Sequence, residues 1–311
     1  VVSIPAGEFR LKQMMNTALY YLTLPFIFLL SYLPMKVLYL LSDLLYVFMY
    51  RIFGYRKPVV MENLQNAYPN RTGTEIDQLC RDYYHYLCDL TLEIIKCFTI
   101  TPAAVERFFT YSEEDLALIQ RFYDAKQSII LVLGHMGNWE LVGAFFGQAG
   151  LHPLYVIYHP LAHPQFDRLF KNMRMRNGMK LYRMRETYKQ MVRNKDKLTA
   201  TAFVGDQTPR PDNAHWMTFL NQDTGVFRGT EKAARMFDYP VLYASVIRVR
   251  RGLYNVSVDL LAEHPKELGE NEITEMHTRR LEQDINAHPH TWLWSHRRWK
   301  HKRPEQTTED Q

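Results

Sequence analysis

Residues 134–140 read Gly134-His135-Met136-Gly137-Asn138-Trp139-Glu140 and set a histidine and a glutamate five positions apart. An imidazole held by a carboxylate through one ring nitrogen can take a proton at the other, so the pair has the chemistry of a general base. Glu140 would fix the tautomer of His135 and stabilise the imidazolium once it forms. The bland reading is a histidine that merely satisfies backbone groups at a helix start. A zinc site is weaker still, because the pair lacks the His-Glu-x-x-His spacing and no third ligand is evident.

The elements on either side must position this pair. Residues 128–133 form a short, uncharged, β-branched and leucine-rich run, the pattern of a strand buried on both faces. Asn138 can then cap a helix through Leu141, Val142, Ala144 and Phe145, leaving His135 on the connecting loop and Glu140 in the first helical turn. Further strands are expected over 152–158, 179–184, 198–204, near 216–220, and as a pair over 241–248 and 254–261. Helices are expected from the capping box Thr72-x-x-Glu75 to about 98, from Pro102, and over 113–126, 164–177, 186–195, 231–237 and 272–287. Residues 55–70 read as a surface connection. The alternation predicts an α/β fold with a mixed, mostly parallel sheet flanked by helices.

At 311 residues, 47% apolar and 14% aromatic, the chain can bury a sizeable core, and the formal charge of +5 suits an acidic protein, an anionic lipid surface or a nucleic acid equally well. Cys80, Cys88 and Cys97 lack Cys-x-x-Cys spacing and read as small core residues of a reducing compartment. No charge occurs over residues 13–35, which as a helix would extend about 34 Å, slightly more than the hydrocarbon of a bilayer. A retained anchor is expected, with a cleaved signal and a kinked interfacial hairpin at Pro25 and Pro34 as its rivals. Basic residues on both flanks leave the orientation open. The chain thus divides into an anchor with an interfacial helix over 1–50, a catalytic domain over 51–303 and a disordered tail over 304–311.

The densest positive field lies over residues 168–197, where eleven Lys and Arg face only Glu186 and Asp196. It could bind lipid phosphates or steer an acidic partner; a solvated helix face is the alternative. Asp206 follows a strand and either binds an acceptor, supports the base or forms a turn before Pro209 and Pro211. Trp292, Trp294 and Trp299 beside Arg297, Arg298, Lys300, Lys302 and Arg303 read as a belt at the headgroup layer. Recognition of nucleic acid by this tail is a poor fit beside an anchor.

The heptapeptide at 134–140 resembles the His-x4-Asp/Glu block of glycerolipid acyltransferases, in the form found in the bacterial lipid A late acyltransferases. Tyr158-His159-Pro160-Leu161, Asp167 and Arg174-Met175-Arg176-Asn177-Gly178 resemble that family's second block, in which an arginine commonly stands where His159 does here. Gly205-Asp206-Gln207, Phe219-Leu220 and Gly229-Thr230 follow in order. Trp294-Ser295-His296-Arg297-Arg298-Trp299-Lys300 is similar to its closing stretch. The resemblance implies that His135 is the base and Glu140 its partner, with no acyl-enzyme and no cofactor. The acyl donor would be acyl carrier protein and the acceptor a hydroxyl of a lipid A precursor or related glycolipid, at the cytoplasmic face of a bacterial inner membrane. Arg174 would contact a phosphate or the oxyanion, and Asp206 and Asn138 the substrate. Other acceptors, including phospholipids and aminolipid amines, and a non-catalytic lipid-binding protein on the same fold are the alternatives.

Overall fold

The computed structural model describes residues 6–304, and the tail beyond Pro304 lies outside the described residues. The chain opens with four helices: α1 (Ala6–Tyr32), α2 (Met35–Tyr46), which runs on into π-helical turns over Val47–Ile52, α3 (Lys57–Ala67) and α4 (Gly73–Lys96). Thr72 and Glu75 form the capping box that starts α4. Then follow α5 (Pro102–Glu106), β1 (Phe109–Thr110), α6 (Glu113–Asp124), β2 (Ile129–Leu133), α7 (Trp139–Gln148), β3 (Leu154–Tyr158), α8 (Pro164–Arg176), β4 (Lys180–Arg183), α9 (Thr187–Arg193) and β5 (Ala200–Val204). The hairpin β6 (Ala214–Phe219) and β7 (Gln222–Phe227), α10 (Gly229–Phe237), β8 (Val241–Arg250), β9 (Leu253–Ala262) and α11 (Glu272–Ala287) complete the order.

Seven strands form one sheet in the order β1-β9-β8-β2-β5-β3-β4. Strands β8, β2, β5, β3 and β4 are mutually parallel, and β9 pairs antiparallel to β8, so the fold is α/β with a mixed, mostly parallel sheet. Every residue of central β2 is buried, as its uncharged sequence requires. Alternation then divides it: Ile130 and Val132 join the core beneath α3, α4 and α11, while Ile129, Leu131 and Leu133 join the core beneath α5, α6 and α7.

Three expectations need correction. Residues 55–70 are not a surface connection, because α3 buries Val60, Leu64 and Ala67 at helical spacing, and Asn63 Nδ2 donates to the carbonyls of Trp294 and His296 at 2.8 and 3.0 Å. The stretch after Phe219 turns back as a strand, since Leu220 and Asn221 both take positive φ, the twist that a two-residue hairpin needs. The closing tryptophans are not a headgroup belt. Trp292 and Trp294 are buried with their rings edge to face at 4.8 Å, and the Trp299 indole donates to Thr224 Oγ1 at 2.7 Å.

Residues Met15–Tyr32 are long and apolar enough to cross a membrane. One side of α1 rests on the domain through Tyr20 against Phe166 and Phe28 against Phe98, whereas Met15, Leu19, Leu22, Phe26 and Leu29 are exposed. Val37, Leu40, Leu44, Val47 and Phe48 extend an exposed apolar stripe along α2 at helical spacing.

Candidate active site

Leu133 and Val204, the last residues of the parallel neighbours β2 and β5, are register partners. Two positions beyond each stand His135 and Asp206, so strand pairing alone brings the imidazole and this carboxylate to the carboxyl ends of the sheet, where α/β folds hold ligands. His135 Nδ1 is 2.5 Å from Asp206 Oδ1, and the His135 backbone N–H donates to Oδ2 at 2.8 Å. The Trp292 indole N–H donates to the same Oδ2 at 2.8 Å. Burial by itself would raise the Asp206 carboxyl; the His135 charge and these hydrogen bonds outweigh it and hold the group down at about 2. An ionised Asp206 only accepts, so His135 Nδ1 carries the proton and Nε2 presents its lone pair. The Gln207 side-chain nitrogen lies 3.3 Å from that Nε2, and Trp139 meets the imidazole edge-on at 5.0 Å.

The loop is fixed from behind. Gly137 has φ +58°, and a Cβ there would lie 2.2 Å from the Val246 carbonyl oxygen, so both the backbone angle and the space demand glycine. At Gly134 a Cβ would meet Leu281 Cδ1 at 2.6 Å. The Tyr86 hydroxyl donates to the Gly137 carbonyl at 2.5 Å, the Gly137 N–H donates to the Thr291 carbonyl at 3.2 Å, and Met136 bridges Trp292.

The carboxylate on the imidazole is therefore Asp206 and not Glu140. Glu140, in the first turn of α7, faces α8, where the Arg174 guanidinium grips both its oxygens, Nε to Oε2 at 2.9 Å and Nη2 to Oε1. This engagement occupies the fork of Arg174 that a phosphate or an oxyanion would use. Asn138 is likewise committed: its Oδ1 accepts from the Leu141 N–H at 3.0 Å as the cap of α7, and its Nδ2 donates to Glu93. Both are thus placed to shape the site from within. Because Glu140 is buried, Glu140→Ala leaves Arg174 without its partner and should lower unfolding stability by about 3 kcal/mol. The Glu140→Ala/Arg174→Ala double variant should recover part of that loss, measured by denaturant unfolding; additive losses would deny the coupling.

Behind Asp206 lie His277, which no motif marks, and Arg298 of the closing stretch at 294–300. His277 and Arg298 are buried, and His277 Nε2 and Arg298 Nε have no hydrogen-bond partner among the described residues. Burial lowers Arg298 to about 10, with Asp206 opposing. Burial lowers His277 to about 4, again against Asp206, and His296 to about 4. The ordinary histidine value is 6.5, so between pH 6.5 and 4 the unfolded chain binds protons that the folded chain refuses. The stability these neutral rings contribute is present above pH 6.5 and is lost as the pH falls towards 4. Thermal unfolding should show that fall, with a shallower slope in His277→Gln; an identical slope would remove His277 from the account.

Among the described residues, His135 has Asp206 and Gln207 as side-chain hydrogen-bond partners and no Ser, Thr or Cys nucleophile. The fold and site thus define a class: an α/β protein with a histidine–carboxylate pair at the carboxyl ends of its parallel strands. Over residues 8–301 the chain matches the model of the bacterial lipid A biosynthesis acyltransferases, and it belongs to that family. It is an acyltransferase of the lipid A type. A comparison with curated proteins finds no match.

Proposed function

We propose that the chain transfers a fatty acyl group from acyl carrier protein to a hydroxyl of a lipid A precursor or related glycolipid, with His135 as general base and Asp206 as its partner. The observation that carries this reading is the contact of a partly exposed His135 with a buried Asp206, which leaves Nε2 as the basic nitrogen. The acceptor hydroxyl displaces the Gln207 amide from Nε2 and gives up its proton there as its oxygen attacks the thioester carbonyl. The tetrahedral oxyanion collapses, the carbon–sulfur bond breaks, and the departing thiolate recovers the proton from the imidazolium. An ester and a free carrier thiol result, with no acyl-enzyme and no cofactor. Acyl carrier protein is a cosubstrate in this scheme.

The apolar faces of α1 and α2 seat the domain on the inner membrane, with the site on the cytoplasmic side where the carrier protein resides. Arg183 ends β4 and Arg185 follows it, at the sheet end that holds His135, and both are exposed. With Lys189 and Arg193 on α9 they offer a positive surface to the phosphates of the acceptor or to the acidic carrier. Mass spectrometry of lipids from cells with and without the protein tests the acceptor. A lipid A species lacking one acyl chain in the deleted strain is expected. Intact lipid A with an altered phospholipid or aminolipid profile would move the reaction to those acceptors, and unchanged lipids would return the protein to a binding role.

A further inference from the structure

Glu93 is a fully buried carboxylate on α4, outside the His135–Asp206 pair, and three elements converge on it. From α2 the Tyr39 hydroxyl donates to Oε1 at 2.7 Å. On the other oxygen, Asn138 Nδ2 donates at 2.8 Å and the Tyr254 hydroxyl of β9 at 2.5 Å. Asn138 stands three residues after His135, and its remaining side-chain atom caps α7, so the Asn138 side chain spans from Glu93 to the first turn of that helix. A buried carboxylate with three donors holds them in narrow geometry, because releasing any one leaves a polar group unpaired in the core.

The link to α2 is not isolated. Ser42 Oγ donates to Asp89 Oδ1 at 2.6 Å, and Asp89 also takes the guanidinium groups of Arg248 and Arg251. Arg251 in turn reaches back to Asp43 on α2. Thus the inward face of α2 is tied by polar contacts to α4 and to the β8–β9 turn, while Val37, Leu40 and Leu44 on its outward face are exposed and apolar. A helix with one face of that kind is shaped to lie in the headgroup region of a bilayer.

We infer that Glu93 is a positioning residue that holds the His135 loop through Asn138 and, through Tyr39, makes that position depend on how α2 is seated on lipid. The inference rests on the acyl-transfer reading for its activity test and on geometry alone for its chemical test. Misplacement of a reacting group by about 1 Å can cost on the order of a hundredfold in rate, so a modest loosening at Asn138 is enough to be felt at Nε2.

The test uses the full chain, below the unfolding temperature of every variant, with acyl-acyl carrier protein and a glycolipid acceptor. The acceptor is presented either in neutral detergent micelles or in phosphatidylethanolamine–phosphatidylglycerol vesicles. Glu93→Gln should lower kcat by about 10- to 100-fold in both media with KM little changed. Tyr39→Phe, which deletes one oxygen, should lower the vesicle-to-micelle rate ratio by about three- to tenfold while vesicle binding persists. A wild-type ratio in Tyr39→Phe, or a loss in Glu93→Gln confined to KM, would overturn the inference. If the wild-type chain transfers no acyl group, the functional reading has failed and the positioning claim is decided by diethyl pyrocarbonate modification of His135, followed by peptide mass spectrometry. Glu93→Gln should then change the His135 modification rate several-fold, and an unchanged rate would overturn the claim.

Discussion

Replacing His135 by alanine is expected to lower acyl transfer by about 10²–10⁴-fold, the usual contribution of a positioned general base. The imidazole is the proposed proton acceptor, and Gln207, the neighbour of its Nε2, is an amide that cannot take up a proton at neutral pH. The variant should still fold and bind vesicles, since the sheet, the α7 cap and the apolar faces of α1 and α2 do not depend on the imidazole. It carries a secondary cost. Asp206 loses the imidazole contact that helps to hold its carboxyl down, and keeps the N–H groups of residue 135 and Trp292. In the wild type a carboxyl held at about 2 contributes stability that is full above the unfolded value and is lost as the pH falls towards 2. Part of that contribution should be missing from His135→Ala at neutral pH, visible as a lower unfolding midpoint together with the loss of rate. Retained transfer in a folded His135→Ala chain would remove the proposed base.

The second large effect is expected at Asp206. Asp206→Asn preserves shape but replaces an oxygen that only accepts with an amide that also donates. Nδ1 then has no carboxylate to hold its proton, the tautomer with the proton on Nε2 gains weight, and that nitrogen can no longer accept from the acceptor hydroxyl. In the serine-protease triad this same change costs about 10⁴-fold in kcat with the geometry intact. A loss on the order of 10²–10⁴-fold in kcat with little change in KM is expected here. Glu140→Gln is the informative contrast. It weakens the ion pair with Arg174 and touches the base only through the start of α7, so its kinetic loss should be smaller than that of Asp206→Asn and its effect on unfolding proportionally larger. If Glu140→Gln abolished transfer while Asp206→Asn kept it, the partner of the base would be Glu140, as the spacing of residues 134–140 implies.

The parallel sheet is legible in the sequence because its inner strands β2, β3 and β5 are uncharged runs rich in apolar and β-branched residues separated by helical periodicity, and the loop at 134–140 stands out because glycine and asparagine punctuate the end of such a run. Helix α3 is less legible, since Glu62, Asn63, Gln65 and Asn66 crowd its short apolar pattern, and Asn63 is buried for its hydrogen bonds and not for its polarity. The β6–β7 turn is hidden because Leu220 is not a residue that favours positive φ. In the tail, aromatic and basic residues have the composition of a membrane belt, yet Trp292 and Arg298 serve the site from below. The pairing of His135 with Asp206 depends on the register of β2 with β5 across an interval of 71 residues, whereas Glu140 is conspicuous by its nearness in the chain. Strand order and register are properties of the folded sheet, and no local pattern announces them.

The most direct measurement is the rate of acyl transfer by the purified chain from acyl-acyl carrier protein to a lipid A precursor, followed by mass spectrometry and compared among wild type, His135→Ala and Asp206→Asn. The expected result is one added acyl chain with wild type and a rate lower by about two orders of magnitude or more in both variants. No transfer by wild type, or equal rates in all three folded proteins, would contradict the account.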